Sequence, residues 1–419
     1  MKVAVLGAGV TGLATAWFLL KEGHDVAIID RRLGVALETS FANGGQLSYS
    51  YVAPLASAGV LPKIPPWILR RDSPLRFRPK FDPDQWRWCI EFILACNERQ
   101  AELTTRRLLA LSLYSRSVMH QLVAEEGIEF HYARSGKLIL HSSARSFERA
   151  KALLDYQMRL GCEQEALDAD GCVNLEPALA HVRSRLFGGI YTASEDTGDC
   201  YLFCKALEAR MLADASRVRL HLGCEAKRLI GRGRRIVGIK TNQGVIEADC
   251  YVLALGSGAP PLVRSIGIRL PIYPLKGYSL TLPVVDPDRA PRISVTDYER
   301  KVVYARLGGD LRVAGMVDLG DREPSVDKAR IATLLEQATD TFPGGCDTSR
   351  PSPWCGMRPA TPKGTPVLGS TPYENLLLNT GHGALGFTLA AGCARVISDL
   401  LAGRQPAVPL EGMNLASVQ

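Results

Sequence analysis

Apolar positions open the chain in two different rhythms. Residues 3–6 form an unbroken apolar run of the kind a strand buried on both faces requires, and residues 13–20 continue as a buried helix that Gly23 ends. Residues 26–29 predict a second buried strand, closed by Asp30. Apolar residues then recur at helical spacing over 85–122, as in Trp88, Phe92 and Ala95 and again in Leu108, Leu111 and Val118. Strands are predicted over 136–141 and 190–193, a helix over 201–212, and a strand over 218–222 leading into a meander through 236–241. Residues 251–255 again have the parallel-strand pattern. Residues 279–282, 302–306 and 311–314 resemble antiparallel strands of a second sheet, and 376–378 returns the chain to a closing apolar helix over 387–401. The pattern is interrupted rather than repeated, which predicts an α/β fold assembled from separated pieces.

Between the first strand and the first helix, Gly7, Gly9 and Gly12 spell G-x-G-x-x-G. The first glycine permits the tight turn, the second lets backbone approach a pyrophosphate, and the third lets helix pack on strand. Asp30 stands where an acid accepts from a ribose hydroxyl. Residues 3–20 carry no charge between Lys2 and Lys21, as a signal peptide or membrane span would. Glycines at fixed offsets and an immediate second strand fit that reading poorly. No other segment reads as long enough to cross a bilayer.

Composition narrows the class. A chain of 419 residues predicts two lobes. Eleven scattered cysteines without C-x-x-C argue against a disulfide framework or zinc cluster and favour a reducing cytoplasm. The seven histidines show no ligand spacing, so no catalytic metal is expected. A net charge of +7 is compatible with an anionic substrate, membrane or cofactor.

The tract 356–388 packs GMRPATPKGTPVLG and NTGHGALGFT in front of the closing helix. Arg358 offers two parallel donors that match a carboxylate, while amides at a glycine-rich helix start favour an anionic ring. That pairing suits amino-acid oxidation by a flavin.

The opening VAVLGAGVTGLATAWFL with Asp30, LETSFANGGQLS at 37–48, SEDTGDC at 194–200, YPLKGYSLTLP from Tyr273, and the two runs of 356–388 closely resemble the D-amino-acid dehydrogenases of small-subunit type. These belong to the wider glycine oxidase and D-amino-acid oxidase group of FAD enzymes. The resemblance implies a two-lobed fold, α+β overall. A Rossmann-like FAD-binding domain would comprise 1–60, 196–265 and 355–419, and a mixed or antiparallel-sheet substrate domain 61–195 and 266–354. It implies oxidative deamination of free D-amino acids to 2-oxo acids and ammonia, with hydride passing to flavin N5 and electrons to a quinone. FAD would be held by Gly7, Gly9, Val10, Thr11, Gly12, Asp30 and Arg31, by Thr39, Ser40, Asn43, Gly44, Gly45 and Gln46, and by Ala226 and Gly256. Gly383, Ala384, Leu385, Gly386, Phe387 and Thr388 would contact the isoalloxazine, and Arg358 the substrate carboxylate.

Tyr278 is expected to close the pocket or assist the carboxylate through its hydroxyl, with Tyr51 and His382 as further catalytic candidates. Cys355 is expected near the flavin as a buried thiol. Residues 62–88 interleave Lys63, Arg70, Arg71, Arg76, Arg78 and Lys80 with Trp67, Ile68, Leu69, Phe77, Trp86 and Trp88, a mixture that suits peripheral contact with an anionic membrane. No nucleic-acid module surrounds them, and the expected setting is cytoplasmic or on the inner membrane's cytoplasmic face. Three alternatives stand beside this reading. One is an oxidase or dehydrogenase for glycine, sarcosine or hydroxyproline. A second is an NAD(P)-dependent dehydrogenase using Arg31 and Arg32 for a 2'-phosphate, and a third is an auxiliary FAD-binding subunit of a heteromeric complex.

Overall fold

The computed structural model describes residues 1–64 and 73–418. Six strands form a first sheet in the order Val367–Ser370, Leu376–Thr380, Cys250–Leu253, Lys2–Leu6, Asp25–Ile29 and Val218–His221. Neighbours run parallel, except that Val367–Ser370 pairs antiparallel at the edge. Alternation along Lys2–Leu6 separates the two faces. Val3 and Val5 pack with the helices Val10–Lys21, Cys200–Leu212 and Gly386–Leu401, whereas Ala4 and Leu6 pack with Leu229, Ile236 and Ile239 of an antiparallel meander. Burial on both faces explains why these strands read as continuous apolar runs.

The second sheet has nine strands. Its path runs Ser352–Ala360, Tyr273–Pro283, Asp310–Leu319, Val302–Leu307, Ser294–Asp297, Lys137–His141, Gly188–Thr192 and Gln164–Asp168, and Leu75–Phe77 pairs with the end of Asp310–Leu319. Most pairs are antiparallel, but Ser294–Asp297 lies parallel to Lys137–His141. Helix Lys328–Thr341 covers one face and buries Leu280, Val302, Val313 and Leu334. Residues of the same strands line a cavity.

Several elements differ from the pattern's reading. Ser352–Ala360 was not legible as a strand because it contains Pro353 and Pro359; it lies at the sheet edge, where a missing N–H is tolerated. The expected lobe boundary at 355 falls inside this strand. The single run 85–122 resolves into Pro83–Ala95 and Glu98–Glu126, because Asn97 caps the second helix by accepting from Gln100 N at 2.9 Å. Contrary to the expectation for spans, Gly383–Leu401 is long and apolar enough to cross a membrane. Its residues are mostly buried inside the fold, against Val10–Lys21 and Glu98–Glu126.

The stretch 62–88 is less uniform than its composition suggested. Trp67, Ile68, Leu69, Arg70 and Arg71 lie outside the described residues. Arg76 is paired with Asp318 and Asp327, and Arg78 with Asp321, so neither is a free cation. Trp88 is buried and donates to Ala360 O at 2.8 Å. The apolar surface lies further on. Phe81, Trp86, Ile90, Ile93 and Leu94 are exposed, the last four on one face of Pro83–Ala95.

Helix Gly386–Leu401 sits tightly on Glu98–Glu126. Ser115 Oγ donates to Thr388 O at 2.6 Å and accepts from Gly392 N at 3.0 Å, and a Cβ on Gly392 would stand 2.8 Å from Ser115 Cα. Gly392→Ala is therefore expected to destabilise the fold by about 1–3 kcal/mol through overpacking. A denaturant titration reads this directly, and an unchanged midpoint would contradict the close approach.

Candidate active site

The dinucleotide turn is built on interlocked glycines. Gly7 takes φ +110° and donates to Ile29 O at 2.8 Å, while a Cβ on Gly12 would stand 1.9 Å from Gly7 O. Only glycine fits there, so the first turn of Val10–Lys21 lies directly against the strand end. Asp30 Oδ2 accepts from Ala8 N at 2.7 Å and Oδ1 from Arg32 N at 2.8 Å. Burial pushes the Asp30 pKa up, opposed by these two N–H groups. Arg31 and Arg32 both pair with Glu38, which opposes the idea of a free 2'-phosphate clamp.

The loop 37–48 is tied to both sheets. Thr39 Oγ1 donates to Met357 O at 2.8 Å, Ser279 Oγ to Ala42 O at 2.6 Å, and Arg312 Nη1 to Asn43 O at 2.7 Å. Ser40 Oγ accepts from Val10 N at 3.0 Å, which fixes the loop over the glycine turn. Asn43 Oδ1 accepts from Gly45 N at 3.0 Å, and Gly45 takes φ +64°. Ser48 N donates to Thr388 Oγ1 at 3.1 Å, joining the loop to the start of the closing helix.

Arg358 stands on the edge strand, opposite Leu275. A Cβ on Gly277 would lie 2.7 Å from Arg358 Nε and 2.8 Å from Nη2, so the missing side chain makes room for the guanidinium. Among the described residues, Arg358 meets no carboxylate. Burial pushes its pKa down from the ordinary arginine value. Close by in sequence, His382 pairs with Ala360 in an isolated bridge; burial lowers its pKa to about 4 and its Nε2 has no hydrogen-bond partner. The ring is therefore neutral at neutral pH. Gly383 takes φ +55° and opens a turn, Gly383–Leu385, that runs into Gly386–Leu401.

A single cavity of about 1790 Å³ collects these groups. It is lined by Gly7, Gly9, Val10, Thr11, Asp30, Arg31, Thr39, Ser40, Asn43, Gly44, Gln46, Ala226 and Gly256. It is also lined by residues 383–388, Arg358, Tyr51, Tyr278 and His382. Gly12 and Gly45 do not line it; they shape the backbone behind it. Tyr278 lines the cavity with its hydroxyl already committed, donating to buried Asp318 at 2.8 Å, and its ring packs with the core under Lys328–Thr341. Cys355 packs against that same core as a half-buried thiol, between the lining residues Trp354 and Gly356. Burial raises the Tyr51 pKa, keeping its hydroxyl protonated. Sequence reasoning missed Lys137, Trp88 and Trp354 as lining residues. A lysine inside the apolar run 137–140 was the available signal for the first of them.

The fold and cavity together define a flavin-dependent oxidoreductase with a discontinuous dinucleotide domain. The chain belongs to the family described as FAD dependent oxidoreductase (DAO), whose model matches residues 2–400. It is 48% identical over 417 residues to "D-amino acid dehydrogenase 2" of Ralstonia nicotianae, covering 97% of this chain and 98% of that one. Identity to "D-amino acid dehydrogenase 2" of Pseudomonas aeruginosa is 45% over 414 residues, 98% of this chain and 97% of the relative. In three dimensions it is similar to glycine oxidase from Geobacillus kaustophilus, with a TM-score of 0.78 at 21% identity over 99% of this chain and 97% of the other. Its cofactor is FAD. The cavity fits that group: Gly7 and Gly9 of the turn line it, and His382 Nε2 and Ser257 Oγ on the lining are buried without partners.

Gly277→Ala is expected to displace the Arg358 guanidinium and weaken binding of a simple carboxylate such as propionate at least tenfold, with FAD content unchanged. Titration of the flavin absorbance checks this. Equal propionate affinity in the variant would show that Arg358 does not meet the ligand.

Proposed function

We propose that this chain oxidises free D-amino acids to 2-oxo acids and ammonia and passes the electrons to a membrane quinone. The carrying observation is Arg358, a half-buried cation lining the FAD cavity with no acid partner among the described residues. A guanidinium grips a carboxylate with two parallel N–H bonds, fixing which face of the α carbon is presented. Bound FAD supplies the two-electron acceptor for the hydride leaving that carbon. The nitrogen loses a proton, and water then converts the imino acid to 2-oxo acid and ammonia. Gly7, Gly9, Val10, Thr11, Asp30, Ser40 and Ala226 hold the dinucleotide end, and Asn43, Gly44, Gln46 and residues 383–388 the ring. His382, neutral and unpartnered, offers a hydrogen bond within the site without contributing charge.

The names of the relatives in Ralstonia nicotianae and Pseudomonas aeruginosa support this reading. For the acceptor, support comes from the exposed face of Pro83–Ala95, where Trp86, Ile90, Ile93 and Leu94 form an apolar stripe and Arg87, Trp88 and Glu91 of the same helix line the cavity. A peripheral membrane contact here, on the cytoplasmic face, brings a lipid-soluble quinone to the cavity's edge.

Arg358→Leu is expected to keep FAD and to lose about 100-fold or more in kcat/KM for D-alanine, since breaking a buried charge pair costs about 3–5 kcal/mol. Unchanged apparent affinity for D-alanine would sink the assignment. The double variant Ile90→Asp, Leu94→Asp is expected to stay in the supernatant when spun with phosphatidylglycerol vesicles, while turning over a soluble dye normally. If it still sediments with the vesicles, the helix face is not the membrane contact.

A further inference from the structure

Lys137 is a buried cation on the cavity wall, and the chemistry above leaves it without a task. It opens the strand Lys137–His141, whose alternate residues Lys137, Ile139 and His141 line the cavity from the second sheet. Its Nζ donates to Gln46 Oε1 at 3.0 Å and to Ser48 Oγ at 2.7 Å, and lies 4.6 Å from the centre of the Tyr51 ring. All three partners are neutral. The acid that acts on it, Glu195, makes no ion pair with it: Oε1 accepts from Ser50 N at 2.6 Å, Oε2 has no partner, and burial raises the carboxyl's pKa. Burial lowers the Lys137 pKa only to about 8, so the ammonium is the form present at neutral pH.

The distribution of charge around the cavity points the same way. Its lining acids are Asp30, Glu38, Asp84, Glu91 and Glu225, on the dinucleotide side or on Pro83–Ala95, and none sits on a strand of the second sheet. That wall carries Lys137 instead, and Arg149 of the neighbouring helix Ala144–Lys151 joins it. Glu195 acts on this ammonium through space, but no carboxylate hydrogen-bonds it, so an anionic ligand in the cavity would be its first direct charge partner. Arg358 accounts for one carboxylate only.

We propose that the wall around Lys137 receives the substrate side chain and that Lys137 selects amino acids whose side chain ends in a carboxylate. This rests on the amino-acid reading of Arg358. Gln46 and Ser48 hold the ammonium in place, and the distal carboxylate supplies a charge partner in direct contact.

The test uses the FAD-loaded full chain and begins with binding, so that it does not depend on turnover. Glutarate and pentanoate differ by one terminal carboxylate, and flavin absorbance reports both. Wild type is expected to bind glutarate at least tenfold more tightly than pentanoate, and Lys137→Met to reduce that ratio at least tenfold, whereas Lys137→Arg keeps it. In parallel, the wild-type kcat/KM ratio of D-glutamate to D-glutamine is expected to exceed ten and to fall toward one in Lys137→Met. Should that variant fail to hold FAD, Lys137→Gln, which removes the charge and keeps a hydrogen-bonding side chain, is expected to show the same loss. Equal binding of glutarate and pentanoate by wild type, or an unchanged ratio in the charge-removing variant, overturns the proposal. A glutarate preference without oxidation of any D-amino acid would instead retain the dicarboxylate site and reject the reaction.

Discussion

A guanidinium held in a cavity without a carboxylate of its own is the constraint on which the site depends. Removing a charge from water is unfavourable by several kcal/mol even after relaxation, so Arg358 persists there only because the surrounding fold holds it. The edge strand Ser352–Ala360 delivers it, Gly277 leaves space for it, and the pairing of Tyr273–Pro283 with two neighbouring strands fixes that strand's register. The unmet charge is then available to an anionic ligand with no rearrangement at the moment of binding.

The loop 37–48 makes the two sheets act as one site. It hydrogen-bonds to the glycine turn through Ser40, to the Arg358 strand through Thr39, to the second sheet through Ala42, Asn43 and Gln46, and to the closing helix through Ser48. A shift of this loop therefore moves the cofactor cradle and the substrate wall together. The short pair Gln46–Leu47 with Asp196–Thr197 fastens it again from below, next to Glu195. Elements distant in sequence thus share a few rigid polar contacts around one cavity, which is what orientation of a small substrate requires.

The dinucleotide half was legible because its physics is local. A double-sided strand, glycines at fixed offsets and an acid at the next strand end are all set within residues 2–30. Arg358 was legible as a candidate, and the structure places it on the cavity lining; its strand was not legible, since Pro353 and Pro359 hid it. The commitments of Tyr278 to Asp318 and of Arg76 to Asp318 and Asp327 were not legible, because each joins residues more than 30 positions apart. Lys137 shows the same limit. Its position in an apolar strand was visible, but the neutrality of Gln46, Ser48 and Tyr51 around it exists only once both sheets have closed. Apolar surface behaved similarly, for Trp88 turns inward while Trp86, two residues earlier, faces out.

On this reading the FAD cavity oxidises an α-amino carboxylate of one handedness. Anaerobic mixing of the FAD-loaded protein with matched D- and L-alanine, D- and L-glutamate, glycine and hydroxyproline isomers, followed at the flavin absorbance, tests it most directly. Bleaching by D-amino acids and none by their L-forms is expected, with colour restored by a quinone analogue. Bleaching by L-forms or by glycine alone, or no bleaching by any amino acid, would contradict it.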